Sequence, residues 1–266
     1  MRKRKSLHEG FIKRFSNFIL KFLIMKNFIL FFLLFLTNNY LFAQEDSLMK
    51  EPSKESQAYH DFREKNTVPP YGLQKINELL KLTKVDEEDN EKIDEKAYLL
   101  LSLREKFTYN MIHAESFSQN CDADPPIQDE QKKIFAQLPD AFGEYNWSER
   151  QEGFFKANKD SVIELMKASI LRTNRVGLNF KKAIVLLYAK EMIPLLIKTY
   201  NLNKKDHDIL TVLMLLMKES EYPPFINSLS YKKLYADETS SYQAFLSFNA
   251  ANEELIIKRA NAFISK

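Results

Sequence analysis

Glu191-Met192-Ile193-Pro194-Leu195-Leu196-Ile197 is followed thirty residues later by Glu221-Tyr222-Pro223-Pro224-Phe225-Ile226, and the reading of this pair decides the fold. In each copy a proline stands three residues after a glutamate, at Pro194 and Pro224. Proline has no amide N–H, so it fits a helix's first turn, where that N–H would have no acceptor. The segments ahead of each copy also match. Val185-Leu186-Leu187 aligns with Leu215-Leu216-Met217, and Asp160-Ser161-Val162-Ile163-Glu164-Leu165 lies about one period further back. Such a register predicts stacked helix pairs, because neither helix of a pair buries its apolar face until the next pair packs on it. The expected fold is all-α: a helical-repeat stack over residues 158–266 or, if the shared spacing is accidental, an irregular helical bundle.

Residues 158–235 resemble HEAT-like α-solenoid repeats of the short variety, in which one helix pair leads into a Glu-x-Ile-Pro-x-Leu start, here Glu191 to Leu196. The Gly-Asp turn usual before that helix is replaced by Ala189-Lys190. The resemblance implies a concave face suited to recognising a protein or peptide. The last segment, with Tyr242, Phe245, Leu246, Phe248, Leu255, Ile256, Ala260 and Phe263 at helical spacings, is expected to cap the stack. Asn252 is expected to be the N-cap of a final helix, and Glu253, Glu254, Lys258 and Arg259 its polar outer face.

Upstream, residues 69–157 read as a helical region with packed loops. Val68-Pro69-Pro70 precedes Leu73, Ile76, Leu79, Leu80 and Leu82 at helical spacing, and the acidic run Asp86 to Asn90 reads as a solvated turn. Ser102-Leu103-Arg104-Glu105 and Ser148-Glu149-Arg150-Gln151 both have the capping-box pattern. In it the serine oxygen accepts the third backbone N–H while the Glu or Gln reaches back to the serine N–H, so helices are predicted to start at Leu103 and Glu149.

The N-terminal 44 residues read as an export signal whose best match begins at Met25: a basic start at Lys26, the apolar run Phe28 to Leu36, and a small residue for cleavage near Ala43. Residues before Met25 form an upstream extension on this reading. A retained membrane anchor is disfavoured because Lys13, Arg14, Lys21 and Lys26 interrupt the apolar stretch. Residues 45–68, rich in Glu, Lys and Pro with few apolar positions, are expected to be a flexible linker. The mature chain is thus expected to be periplasmic or secreted, with no stable membrane span.

The whole chain carries a formal net charge of +3, but the first 44 residues hold eight Lys or Arg and one Glu, which leaves 31 basic against 35 acidic residues, about −4. That argues against a nucleic-acid partner, which requires a basic face. A single cysteine, Cys121, excludes an internal disulfide, so stability comes from the core. Glycine-rich phosphate loops and zinc-type spacings of His60, His113 and His207 are both missing, so no cofactor and no metal site is expected.

Two sets of residues compete for function. His113, Glu115 and Cys121 gather an imidazole, a carboxylate and a thiol within ten residues, the composition of a hydrolase or thiol enzyme. Tyr109, Phe117, Tyr145 and Trp147 are aromatics that suit either a core or a peptide-binding groove. The expectation taken forward is an exported helical scaffold that binds a protein or peptide in the bacterial cell envelope, with no catalytic residue. The thiol enzyme is the alternative, and a structural envelope protein without a discrete ligand the third.

Overall fold

Ser53, Asp94, Ser102, Ser148, Ser228 and Asn249 each stop an extended segment and accept a backbone N–H from the following turn, so each starts a helix. At Ser102 and Ser148 the capping box is complete, with Glu105 and Gln151 reaching back. The computed structural model describes residues 51–118, 128–236 and 244–265. The N-terminal 44 residues expected to be an export signal, Cys121 and Tyr242 lie outside the described residues. The last helix starts from Asn249 and not from Asn252, because Asn249 is the extended residue and Asn252 supplies the N–H it accepts.

The chain is mainly helical: α1 (Lys54–Arg63), α2 (Leu73–Leu80), α3 (Glu95–Leu99), α4 (Leu103–Ile112), α5 (Glu149–Ala157), α6 (Lys159–Thr173), α7 (Leu178–Leu186), α8 (Ile193–Asn201), α9 (Asp208–Glu219), α10 (Pro223–Ile226), α11 (Leu229–Tyr235) and α12 (Ala250–Ile264). Short strands, which the all-α expectation did not contain, form three antiparallel pairs among the described residues. These are β1 (Lys84–Val85) with β2 (Glu91–Lys92), β3 (Ser116–Phe117) with β5 (Tyr145–Asn146), and β4 (Lys133–Phe135) with β6 (Phe245–Ser247).

The core is organised around α9. Every residue from Asp208 to Met217 is buried, and the helix packs against α7, α8, α10, α12 and β4. A helix with no polar face is stable only when surrounded. Burying each of its leucines contributes roughly 1.5–3 kcal/mol before chain entropy is counted.

Two helix ends in this half use one device. After α7, Tyr188 takes a left-handed conformation (φ 47°), with Ala189 N–H donating to Ile184 O and Tyr188 N–H to Val185 O. After α9, Glu221 does the same (φ 47°), with Tyr222 N–H on Met217 O and Glu221 N–H on Lys218 O. This is a Schellman cap, which satisfies carbonyls left open at a helix end. A proline-started helix follows each. After Tyr188 a 3-10 turn, Lys190–Met192, intervenes before the nine-residue α8, whereas α10 begins directly after Tyr222 and has four residues.

Residues 51–68 correct the expected linker. Helix α1 lies in them, its Tyr59 and Arg63 are buried, and Thr67 exchanges hydrogen bonds with Gly177 and Asn179. The segment has few apolar side chains because polar ones dock it. Pro52–Lys266 is one unit, so the pattern changes at residues 69 and 158 are not domain edges. Contacts cross both: Asn179 donates to Thr67 O and Met111 O, and Thr211 to Phe135 O.

Candidate functional site

The acidic run Asp86 to Asn90 folds as the turn of the β1–β2 hairpin. Asp86 Oδ1 accepts the N–H of Glu88 and of Asn90, each at 3.0 Å, and Asp89 supplies a left-handed φ of 59°. Lys92 Nζ reaches Asp86 at 2.8 Å, and chiefly that hydrogen bond holds the Asp86 carboxyl well below the usual carboxylate range. The hairpin does not stand alone. Glu91 N–H donates to Glu115 O at 2.9 Å, and Phe117 N–H donates to Asn90 Oδ1 at 3.0 Å. These two bonds tether the β1–β2 ribbon to the β3–β5 ribbon, two separate two-stranded sheets, and β5 leads into Ser148 and α5.

At the seam of ribbon and helix, Arg150 grips Glu115. Its Nε lies 3.0 and 2.8 Å from the two Glu115 oxygens and its Nη2 2.6 Å from Oε1, while Nη1 reaches Glu95 at 2.8 Å and Nη2 the Ile93 carbonyl at 3.0 Å. Tyr109 Oη and Ser148 Oγ complete the shell of Glu115, each donating at 2.6 Å. Burial and the neighbouring Glu115 charge push the Tyr109 phenol far above its ordinary value, so it stays a donor. The Arg150 guanidinium also covers the Tyr98 ring at 4.4 Å and is raised further by Glu115 against the effect of burial.

Above this pair lies an open cleft of about 650 Å³. Leu82, Lys84 and Val85 form the hairpin side, Glu115 and Arg150 the floor, and Asp94, Glu95 and Glu149 the rim. Leu82 and Val85 are exposed, at 72% and 58%. On solvent-facing strand and loop positions these apolar residues mark a surface rather than a core.

The residues singled out from sequence are distributed differently. Tyr109 is fully buried and serves Glu115, so it is no groove residue. Phe117 and Tyr145 face each other across β3–β5 with ring centroids 5.7 Å apart, and Trp147 packs on Phe142 and Phe155 while donating to Asn110 O at 2.6 Å. None of the four lines the cleft. His113 ends α4, where its Nε2 lies 2.7 Å from Glu91 O. Glu115 is engaged by Tyr109, Ser148 and Arg150, which ties it to the seam with α5 and not to His113. Cys121, the third member of that set, is outside the described residues. Arg150 carries one local signal, a cation in a helix's first turn, where the dipole mildly disfavours it.

A second charged centre has no signature in the local sequence, because its members are far apart along the chain. Arg63 of α1 places Nε 3.0 and 3.1 Å from the Asp208 oxygens and Nη1 on Glu130, and stacks over Phe135 at 4.1 Å. Lys181 Nζ lies 2.6 Å from Asp206 and 3.6 Å from Asp208, and His60 Nδ1 lies 3.1 Å from Glu130. Burial pushes the Asp206 carboxyl up, against the pull of Lys181. His207 stacks on Phe248 at 3.6 Å, and burial depresses its imidazole to about 4. This centre is sealed and fastens α1 to α7 and α9.

Among the described residues no helix is long and apolar enough to cross a membrane. Comparison of the chain with family models, curated proteins and solved structures finds no match.

Proposed function

We propose that this protein is an exported helical scaffold that holds a protein or peptide segment in the bacterial cell envelope, using the cleft between the β1–β2 hairpin and the start of α5. The observation that carries this reading is the combination of exposed Leu82 and Val85 with a floor whose charges are spent on each other. Such a surface suits recognition. Glu115 accepts from donors on both oxygens, which suits a structural floor for such a surface. Among the described residues β1 pairs only with β2, which leaves a strand edge of the kind that accepts an extended segment.

For the architecture, the Schellman cap followed by a proline-started helix, used after both α7 and α9, supports a repeated origin for the C-terminal half. Burial of α9 on every side supports a bundle over an open stack. Export rests on the Met25 to Ala43 signal, and N-terminal sequencing of the exported chain is expected to read from residue 44.

A photo-crosslinking side chain placed at Val85 in living cells tests the binding reading against the same group at Leu255 on α12. A discrete adduct at Val85 alone is expected. Equal labelling at both positions, or none at Val85, overturns the cleft as the binding surface.

A further inference from the structure

The cleft has a sign. Three basic and five acidic side chains line it. Arg150 is spent on Glu115 and Glu95, and Lys92 on Asp86. That leaves Glu149 and Asp94 on the rim, both solvent-exposed, with Glu95 itself 65% exposed and open to a second cation. Lys84 is the remaining cation. The rim therefore presents net negative charge above a basic residue that cannot turn away, because Arg150 is held by Glu115, Glu95 and the Ile93 carbonyl.

The apolar contribution lies on the opposite wall. Leu82 and Val85 project from the hairpin, and their cleft-side surface has no cover within the described residues. A ligand that satisfies both walls carries a cation and apolar groups on a backbone that runs along β1. Resting on the binding reading above, we propose that the occupant is an extended protein segment in which lysine or arginine alternates with apolar residues. The cation is drawn to the Asp94, Glu95 and Glu149 rim, and the apolar side chains cover Leu82 and Val85. Period-two alternation follows from the strand geometry: successive side chains of an added strand point to opposite sides. Complementary charge at a rim acts mainly on association rate and salt dependence, and it rejects segments of the wrong sign.

The test uses three short labelled peptides that alternate leucine with lysine, glutamine or glutamate, titrated by fluorescence anisotropy into the chain purified as the cell makes it. The lysine peptide is expected to bind on the order of tenfold more tightly than the glutamine peptide. The glutamate peptide is expected to bind weakest, and the gap between them to shrink at high salt. Glu149→Lys is expected to weaken the lysine peptide by on the order of tenfold and to affect it more than the glutamine peptide. Because Glu149 also serves the first turn of α5, Glu95→Gln provides a second variant with the same expected direction, and Glu254→Lys on α12 should change nothing. Equal affinity for all three peptides, or indifference to both rim variants, overturns the charge assignment while the peptide-binding reading stands. If none of the three binds, both fall.

Discussion

Arg63 and Arg150 are the same side chain set against the same chemistry, and they end in opposite places. Arg63 sits with Asp208 and Glu130 where its side chain is 6% exposed and theirs 1% and 2%. Arg150 sits on Glu115, equally buried at 2%, but is itself 21% exposed and shares Glu95 with solvent. The sealed pair joins three distant parts of the chain and has no surface to offer. The open one joins ribbon to helix and forms the floor of a cleft. A buried ion pair costs desolvation whichever role it serves, so its contribution is orientation: it selects one docking geometry for α1 and one for the start of α5.

The largest effect that tests this contrast is Arg63→Ala. Two buried carboxylates then lose their guanidinium, with only Lys181 at 3.6 Å left beside Asp208 and the His60 imidazole beside Glu130, and the expected loss is about 3–5 kcal/mol, read from the urea midpoint. Arg150→Ala is expected to cost less, about 1–3 kcal/mol, because the cleft lets water reach Glu115 once the guanidinium is gone. Equal losses would erase the distinction between a sealed and an open centre.

His207 sharpens the comparison through pH. Burial holds its folded value at about 4 against an ordinary 6.5, so between those values the unfolded chain binds a proton that the folded chain refuses. Its contribution to stability is therefore complete above 6.5, declines as pH falls, and is lost once pH drops through 4. The melting temperature is expected to fall by on the order of ten degrees across that window. His207→Gln should flatten the slope; an unchanged slope would show that His207 is not its source.

The smallest effect expected is a gain. Glu221 holds a left-handed φ of 47°, a conformation that disfavours a side chain with a Cβ, so Glu221→Gly should stabilise by about 1 kcal/mol in thermal unfolding. Glu221 serves the cap after α9 and neither charged centre, so the variant should leave the cleft untouched. A destabilised protein would instead mean that the Glu221 side chain does something that the cap alone does not explain.

Legibility follows distance along the chain. The boxes at Ser102 and Ser148 could be read because donor and acceptor are three residues apart. The docking of residues 51–68 could not, since a segment poor in apolar residues looks solvated until its partners are known, and Arg63 meets Asp208 145 positions away. Glu115 was noticed for its neighbours His113 and Cys121, yet the residue that defines it is Arg150, 35 positions on. Helix α9 shows locally as an acidic start at Asp206-His207-Asp208 and an apolar run around Leu215 to Met217. Nothing local said that every face of it would be covered.

The sequence by itself determined the helix starts at Ser102 and Ser148 and the proline-led starts near Pro194 and Pro224, since caps and prolines act within a turn or two of backbone and need no distant partner. Only the tertiary structure decided which charges are sealed and which border a cleft, because the energy of a charge is set by what excludes water from it. In this protein those groups come from positions 35 to 145 residues apart.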